Sequence, residues 1–464
     1  MIRHRASSGE VRRMLALIPR ESVIDWSSMR RPTHLCRLVL LVLVLCLPAR
    51  LAGAAEQVRL LESEREAAVA RAEMVLGARQ EILAAYFIIG KDPFTLTALA
   101  LLRDAARRGV RVKLLVDDQW NKIPKAVEAH LIQEGVEIGT YHPFQIGNLH
   151  WTWRRMHDKL FVVDGEVLLA GGRNIESAYF GLGPTQSGRR NYLDCDVQVR
   201  GAVAAEARTY FLSLWASHHV EKQRTRRGPA AETRAAQLLD GFQDWIDARI
   251  GQELASSAPL LAEPIPVEGV RFIHDAVGHK RSGGVARELF LLMDAARESL
   301  IIESPYLVPS DALREVLRRA QARGVHVRIL TNSLSATDNL WPQAGYVGHK
   351  KWLVATGVEL WEYRGPECLH TKAAVIDGKQ AVIGSYNLDT LSERLNSEIV
   401  LAIDSPAVAE RLRRSMDTHL ERAWRIDARG YPEGFDEPYP GITGWKRFKL
   451  RLLRLLAPFI EGML

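Results

Sequence analysis

The chain has 464 residues, 47% hydrophobic and 25% charged, which is typical of a globular protein and excludes disordered, collagen-like and polytopic membrane proteins. The formal net charge is +7, but residues 1–54 contain nine Lys and Arg against three Asp and Glu. Of the 62 basic and 55 acidic residues, 53 and 52 remain for the rest of the chain, a charge of +1. Overall basicity therefore does not indicate a nucleic-acid partner.

The N-terminal segment has the pattern of a secretory signal peptide. Arg37 is followed by ten apolar residues, Pro48 and the small residues at 52–54. A membrane-spanning helix needs about 20 apolar residues, so this run is too short to span. We expect cleavage near Ala55; an uncleaved N-terminal anchor is the alternative.

The rest of the chain repeats one order of elements twice. The first half predicts a strand, a helix and a strand at 82–89, 97–108 and 109–117; the second predicts them at 299–304, 311–323 and 324–331. Alternating strands and helices predict an α/β sandwich in each half. The predicted segments are a signal region (1–54), a first half (55–221), a linker (222–266), a second half (267–427) and a tail (428–464).

Each half contains the same spaced motif. It reads histidine, any residue, lysine, four residues, aspartate, six residues, Gly-Gly or Gly-Ser, any residue and asparagine. The polar members are His157, Lys159, Asp164 and Asn174 in the first copy, and His370, Lys372, Asp377, Ser385 and Asn387 in the second. Two such matches in register across a repeat are strong evidence for a functional site.

Strand geometry predicts which motif residues share a pocket. Residues i and i+2 of a strand project from the same face, so each histidine and its lysine point together. Each half therefore supplies half a site, in which asparagine side chains are candidates to bind phosphoryl oxygens. Asp164 and Asp377 lie at an odd offset from their lysines, so within the motif we expect them to be structural.

The duplicated motif resembles the HKD motif of the phospholipase D superfamily, over about residues 77–425. Within it, the chain is most similar to bacterial cardiolipin synthases of the C type. The supporting segments are 171–175, 179–181, 331–338, 344–346, 384–389 and 394–398. The resemblance implies two fused α/β halves related by a pseudo-twofold axis, with the active site at their interface.

The resemblance implies a phosphatidyltransferase that makes cardiolipin from anionic phospholipid through a phosphohistidine. By family analogy His157 is the nucleophile and His370 the general acid. Lys159 and Lys372, helped by Asn174, Asn387 and Ser385, would bind the phosphate. The scheme needs no metal or cofactor. The alternatives are a hydrolytic phospholipase D releasing phosphatidic acid and, less favoured, an HKD-type nuclease.

Two further groups of residues complete the expected site. A nucleophilic histidine needs an acceptor on its far nitrogen, and Asp196 and Glu398 are the predicted acceptors, within or across the halves. Hydroxyl and amide groups after the strand at 324–331 predict a site that binds the headgroup of the acceptor lipid. The alternative is a loop that only caps that strand. Its candidates are Asn332, Ser333, Asp338 and Tyr346.

The C-terminal segment is the basic part of the mature chain. Residues 444–464 carry five cations and one glutamate among aromatic and leucine residues. We predict that this segment forms a cationic amphipathic helix that lies on anionic lipid. The alternative is a helix that packs on the protein itself. The expected partners are phospholipid and the membrane surface, without nucleic acid, and the expected location is periplasmic and peripheral to the membrane.

Overall fold

The computed structural model describes residues 55–143, 153–183, 190–224, 233–241, 261–278 and 284–460, the last with side chains to 455. The predicted signal region lies outside these residues. Where the structure describes the chain, no helix is long and apolar enough to cross a membrane.

The first sheet joins nine strands among the described residues, in the order β10-β1-β8-β6-β5-β2-β3-β4-β9. Strands β2, β3 and β4 run parallel, and the other neighbours pair antiparallel. The strands up to β10 are β1 Glu56–Leu61, β2 Glu81–Tyr86, β3 Arg111–Asp117, β4 Val136–Tyr141, β5 Lys159–Val163, β6 Val167–Gly171, β7 Tyr192–Leu193, β8 Asp196–Arg200, β9 Val220–Lys222 and β10 Ile265–Val267.

The second sheet repeats the first, in the order β11-β18-β17-β16-β12-β13-β14-β19. Its strands and the small strand β15 are β11 Val270–His274, β12 Ser299–Glu303, β13 His326–Asn332, β14 Glu359–Tyr363, β15 Cys368–Leu369, β16 Ala373–Ile376, β17 Gln380–Gly384, β18 Ile399–Asp404 and β19 Ala423–Arg425. The matching strand orders agree with the predicted duplication. Among the described residues, the first sheet has one additional edge strand, β10.

Helices cover both sheets. They are α1 Glu64–Gly77, α2 Pro93–Arg107, α3 Lys125–Gln133, α4 Ala202–Ala216, α5 Val285–Asp294, α6 Asp311–Ala322, α7 Leu340–Ala355, α8 Thr390–Arg394, α9 Pro406–Leu420 and α10 Gly444–Ile460. Helix α2 begins four residues before its predicted start, because Asp92 caps it by accepting a hydrogen bond from the Thr95 amide and Pro93 occupies its first turn.

Three large apolar cores hold these layers together. One lies between the first sheet and helices α1 and α2, and another lies on the corresponding side of the second sheet, beneath α5 and α6. The third contains side chains of both sheets and of helices α4 and α9, including Leu160, Phe211, Val375 and Leu412. The two halves therefore share an apolar core, which fixes the position of one sheet against the other.

The predicted linker, 222–266, is partly built into the first half. Residues 233–241 are helical, and Ala235 and Leu239 are buried in the core beneath α1 and α2. Asp240 forms an ion pair with the buried Arg103 at 2.6 Å. With β10 in the first sheet, these contacts make much of this segment part of the first half.

Asp164 and Asp377 have matching structural roles. The Asp164 carboxylate accepts hydrogen bonds from the backbone amides of residues 79–81, where β2 begins. The Asp377 carboxylate does the same with residues 297–299 at the start of β12. Both residues have positive φ, 54° and 52°, a conformation that aspartate tolerates better than most residues. The two motif aspartates therefore fix a turn against a strand, away from the histidines.

Candidate active site

Each histidine motif enters the site beside a strand of the opposite half. The backbone amide of His157 donates to the Ser397 carbonyl at 3.0 Å, and that of His370 donates to the Leu193 carbonyl at 2.7 Å. In the second case the contact extends the parallel pair formed by β7 and β15. The residue that follows each carbonyl is a carboxylate, so the backbone pairing delivers one acid to each histidine.

The first histidine has its carboxylate partner in the second half. His157 Nδ1 lies 3.0 Å from both oxygens of Glu398, which is fully buried. Glu398 accepts hydrogen bonds from the hydroxyls of Ser385 and of Ser392, the latter at 2.7 Å. A carboxylate fixed in this way leaves the Nε2 of the imidazole as the nitrogen available to a substrate.

The second histidine is oriented by Asp194 and not by Asp196. His370 Nδ1 lies 2.5 Å from Asp194 Oδ2. The prediction of Asp196 as the first-half counterpart of Glu398 was two residues out of register. Asp196 pairs with Gly171 as Val400 pairs with Gly384, so Asp196 corresponds to Val400. Asp194 is therefore the counterpart of Glu398, and both acids cross between halves.

Asp196 serves a buried ion-pair cluster instead. Its carboxylate lies 2.9 Å from Arg71 Nη2 and 3.3 Å from Arg173 Nη1. Because all three side chains are buried, the aspartate compensates two guanidinium charges that water does not reach. Its role is to stabilise the fold.

The two lysines lie beside their histidines in a dry environment. Lys159 Nζ donates to the His157 carbonyl at 2.6 Å, and Lys372 Nζ lies 2.8 Å from His370 Nδ1. Burial lowers the pKa of Lys159 to about 7. It lowers the pKa of Lys372 as well. Two desolvated ammonium groups have few competing partners, so they can bind an anionic group strongly.

The charges of both halves act on His157. Burial, followed by the positive charges of Lys159, Lys372 and His370, holds the pKa of His157 well below its usual value. Burial and Lys372 also lower the pKa of His370, while the Asp194 carboxylate opposes that shift. Both imidazoles are therefore shifted toward the neutral form although each has a carboxylate at Nδ1, and the shift is stronger for His157.

The predicted phosphate-binding side chains are only partly available. The Asn174 amide accepts from the Ile88 backbone and donates to the Tyr179 hydroxyl at 2.9 Å. Ser385, predicted to bind phosphate, donates its hydroxyl proton to Glu398 and thus positions the carboxylate. Asn387 differs, because its side-chain oxygen is buried without a hydrogen-bond partner in the described structure.

Asn332 supports the motif strand and is not an exposed headgroup site. Its side chain accepts from the Leu369 amide at 3.0 Å and donates to the Leu369 carbonyl at 2.7 Å. In the first half Asp117 occupies the equivalent end of its strand and accepts from the Met156 amide. Both residues thus fix the backbone immediately before a histidine, which explains a polar group at this buried position.

Ser333 and Tyr346 are also structural in their contacts. The buried Ser333 hydroxyl pairs with that of Ser335 at 2.7 Å and accepts from the Ala336 amide. Tyr346 is 1% exposed and donates to Glu362, which also forms an ion pair with Lys350. The prediction that Asn332, Ser333 and Tyr346 bind the acceptor headgroup is therefore corrected. Asn332 and Ser333 belong to the segment that caps the strand, and Tyr346 makes a buried contact from a helix.

Asp338 is the acceptor candidate that lies near a histidine. It is exposed, and it accepts hydrogen bonds from Tyr306 at 2.9 Å and Tyr192 at 3.1 Å. The Tyr192 and Tyr179 rings stack on each other and meet the His370 ring edge to face, with centroids 5.2 and 5.1 Å away. Sequence reasoning missed these tyrosines because they lie on separate segments without a shared spacing.

Comparison with known proteins agrees with this geometry. Residues 73–215 and 289–420 match the family model described as cardiolipin synthase, PLD-like domain. The chain is 30% identical to cardiolipin synthase C of Escherichia coli (strain K12) over 452 residues, covering 85% of this chain and 94% of that protein. It is 29% identical to cardiolipin synthase A of Pseudomonas aeruginosa (strain LESB58) over 413 residues, covering 87% and 73%.

A solved structure shows the same fold. The crystal structure of phosphatidylserine synthase from Haemophilus influenzae Rd KW20 has a TM-score of 0.64 at 15% identity, covering 89% of this chain and 98% of that one. The predicted fold of two fused α/β halves is confirmed. The chain belongs to the cardiolipin synthase family of the phospholipase D superfamily.

Proposed function

We propose that the protein is a phosphatidyltransferase that makes cardiolipin from two anionic phospholipids. The observation that carries this proposal is the pair of buried histidines, each hydrogen-bonded through Nδ1 to a carboxylate of the opposite half. Two lysines beside them supply positive charge for a phosphodiester. The names of the similar proteins support the lipid substrate.

In the first step, His157 Nε2 attacks the phosphorus of phosphatidylglycerol, and a phosphorus–nitrogen bond forms. The bond from phosphorus to the headgroup oxygen breaks, and protonated His370 gives its proton to the departing glycerol. Lys159 and Lys372 neutralise the charge that develops on the non-bridging oxygens. The lower tendency of His157 to hold a proton supports this division of roles.

In the second step, a hydroxyl of another phosphatidylglycerol attacks the same phosphorus. Its proton passes to His370, the phosphorus–nitrogen bond breaks, and His157 is regenerated with cardiolipin as product. Water competes for this position, so the enzyme must hold the alcohol in line. We infer that Asp338, with Tyr192 and Tyr306, binds the acceptor hydroxyls beside His370.

The products of labelled phosphatidylglycerol test the proposal. Thin-layer chromatography of reactions in detergent micelles should show cardiolipin and free glycerol, with phosphatidic acid as a minor product. Asp338→Asn should shift the products toward phosphatidic acid, since a poorly held alcohol competes less well with water. Phosphatidic acid as the dominant product of the unaltered enzyme, whatever alcohol is added, would instead assign a hydrolytic phospholipase D.

The rate should depend on pH through Lys159, His370 and His157. The Lys159 ammonium binds phosphate only while charged, and its pKa of about 7 means that the charge is lost as pH rises through that value. The lowered pKa of His157 keeps the nucleophile neutral into the acidic range. We expect kcat/KM to fall as pH rises, because His370 loses the proton that it must donate and Lys159 then loses its charge near pH 7, and to fall at low pH only well below 6.5.

A pH series of kcat/KM on Lys159→Arg identifies the group behind the upper limb. Arginine keeps its charge throughout, so the part of the alkaline decline that belongs to Lys159 should disappear and leave the part set by His370, even if the absolute rate is lower. An unchanged upper limb in this variant would mean that another group controls it.

We infer that helix α10 attaches the exported protein to the membrane surface. Leu450 is 1% exposed and packs on Leu334 and Ala344, so one side of the helix docks on the protein. Another side bears exposed large apolar residues at intervals of three and four: Trp445, Phe448, Leu452 and Leu455. One side of the helix thus agrees with packing on the protein, and the other side supports the proposed contact with lipid. The N-terminal signal pattern supports a periplasmic location.

The position of α10 links this surface to the site. Burial and the Arg190 charge lower the pKa of Lys446, and the nearby Asp338 carboxylate opposes that shift. The first turn of the helix therefore lies in the neighbourhood of Asp338. The exposed cations Lys449, Arg451 and Arg454 accompany the apolar stripe and suit anionic headgroups.

Replacing Phe448 and Leu452 with serine should weaken binding to phosphatidylglycerol vesicles by about 10- to 100-fold, because each apolar side chain loses its burial in lipid. The docked residue Leu450 is left in place, so thermal unfolding should not change. Vesicle cosedimentation measures the effect, with Leu291→Ser as a control at another exposed leucine, 53% accessible. Equal binding by the double variant and the control would show that this face does not contact lipid.

A further inference from the structure

An apolar cavity of about 470 Å³ lies in the first half, between helices α1 and α2 and the outer face of the first sheet. Its size falls within the range of about 300–1,000 Å³ seen for small-molecule sites. Side chains that line it include Val69, Ala72, Ala98, Leu102, Phe161 and Phe180. The exposed leucines Leu76 and Leu182 stand at its rim, 49% and 54% accessible.

The duplication allows the cavity wall to be compared with the other half, residue by residue. Asp164 binds residues 79–81 as Asp377 binds residues 297–299, so the two helix–strand units align without a gap. In this alignment Ala72 of α1 corresponds to Phe290 of α5, whose ring contacts Tyr386.

The second helix of each half differs in the same direction. The shared Gly-Val turns at 109–110 and 324–325 align Ala98 of α2 with Leu313 of α6, which is buried in the second core. Two cavity-lining alanines therefore stand where the other half has a phenylalanine and a leucine. The first half therefore has smaller side chains than the second half at these two positions.

The cavity lies on the same face of the sheet as the catalytic lysine. Lys159 and Phe161 are two residues apart on β5, so their side chains share a face and their Cα atoms are separated by roughly 7 Å. The short helix Ser177–Phe180 separates the two regions: Tyr179 contacts the His370 ring, and Phe180 stacks on Phe94 at the cavity wall. A molecule in the cavity would thus lie next to the reaction centre.

The buried guanidinium of the cavity wall is already engaged. Arg71 donates to the Ala67 carbonyl, to Asp196 and to the Tyr86 hydroxyl, so it does not call for an anionic ligand. The other charged lining residues, Glu64, Arg65 and Glu73, are at least partly exposed, and Thr97 contributes one neutral hydroxyl that is buried without a hydrogen-bond partner in the described structure. The wall favours a hydrocarbon chain and not the charged end of a free fatty acid.

We propose that this cavity binds one acyl chain of the phospholipid substrate, entering between Leu76 and Leu182. The inference rests on the proposed function, since it assigns the occupant to the lipid whose phosphate the histidines attack. The apolar cavity would make the first half a selective site for long-chain lipid.

Filling the cavity tests the proposal. Ala72→Phe and Ala98→Leu, made separately, copy the residues of the second half. Each should lower kcat/KM for dioleoyl phosphatidylglycerol by about tenfold or more, while leaving dihexanoyl phosphatidylglycerol within about twofold. The short lipid reports that the variant is folded and active, and Ala205→Leu, on an exposed helix face, is the matched control. Equal effects on both lipids, or no effect on either, would overturn the proposal.

A binding measurement separates this inference from the proposed reaction. Phosphatidylglycerol with a photoactivatable group at the end of one acyl chain, in micelles with the inactive His157→Ala protein, should label peptides of α1 and α2. Ala72→Phe in the same background should remove that labelling. Labelling of other segments alone, or labelling that survives the filled cavity, would contradict the acyl site. Cavity labelling in a protein that makes no cardiolipin would instead refute only the reaction.

Discussion

His157→Ala should lower turnover by about 10⁴- to 10⁶-fold, because it removes the atom that forms the covalent intermediate. The rate is measured with labelled phosphatidylglycerol, and samples quenched in alkaline detergent, in which phosphohistidine is stable, should lose the phosphatidyl group bound to the protein. His370→Ala should be impaired by about 10²- to 10⁴-fold, since it removes the proton donor but leaves the nucleophile.

A substrate with a better leaving group distinguishes the two histidines. Phosphatidyl-p-nitrophenol releases an anion that needs no proton, so the first step should recover in His370→Ala as a burst of nitrophenolate. The same substrate should not rescue His157→Ala. Rescue of His157→Ala instead would exchange the two roles. Thermal unfolding of both variants close to that of the unaltered protein confirms that the loss is chemical.

The two neighbouring aspartates should fail in different ways. Asp194→Asn replaces the acceptor of the His370 Nδ1–H by an isosteric amide, so we expect kcat to fall by about 10²- to 10⁴-fold with little change in unfolding. Asp196→Asn leaves Arg71 and Arg173 without their buried countercharge and should cost about 3–5 kcal/mol of stability.

The measurements are kcat and the free energy of unfolding in urea, made on both variants. Glu398→Gln serves as the positive control for a lost histidine acceptor and should resemble Asp194→Asn. If Asp196→Asn lost activity without losing stability, the register that separates these residues would have to be reconsidered.

The paired motifs and the repeated elements could be predicted because they depend on local periodicity. Alternation along a strand places Lys159 with its histidine and turns Asp164 away, whatever the rest of the fold does. The order of elements in each half follows in the same way from helix and strand patterns. These features need no knowledge of distant contacts.

The identity of the second acid could not be predicted in this way. Asp194 and Asp196 lie two residues apart on one chain segment, so strand alternation cannot distinguish them. The longer connection after Asn174 removed the spacing that would have aligned Asp194 with Glu398. The pairing of β6 with β8 decides between the two aspartates, and this pairing is a tertiary contact.

The binding role predicted for Asn332 and Ser333, at the end of β13, was wrong for a related reason. Asn332 and Ser333 are residues that turns and binding sites both favour. Asn332 bonds to the backbone of Leu369, which comes close only after folding, and Ser333 forms a local turn with Ser335 and Ala336, so composition alone cannot distinguish these uses from a binding site. Asp338 in the same segment instead meets tyrosines of both halves.

The exchange of carboxylates between the halves sets a condition on biosynthesis. The first of the two catalytic histidines to leave the ribosome, His157, is completed by Glu398, which is made shortly before the last strands of the second sheet. A nascent or truncated polypeptide ending before Glu398 would carry both histidines but only one working pair. Reactivity toward lipid phosphodiesters would therefore arise only after almost the whole chain has been synthesised and folded.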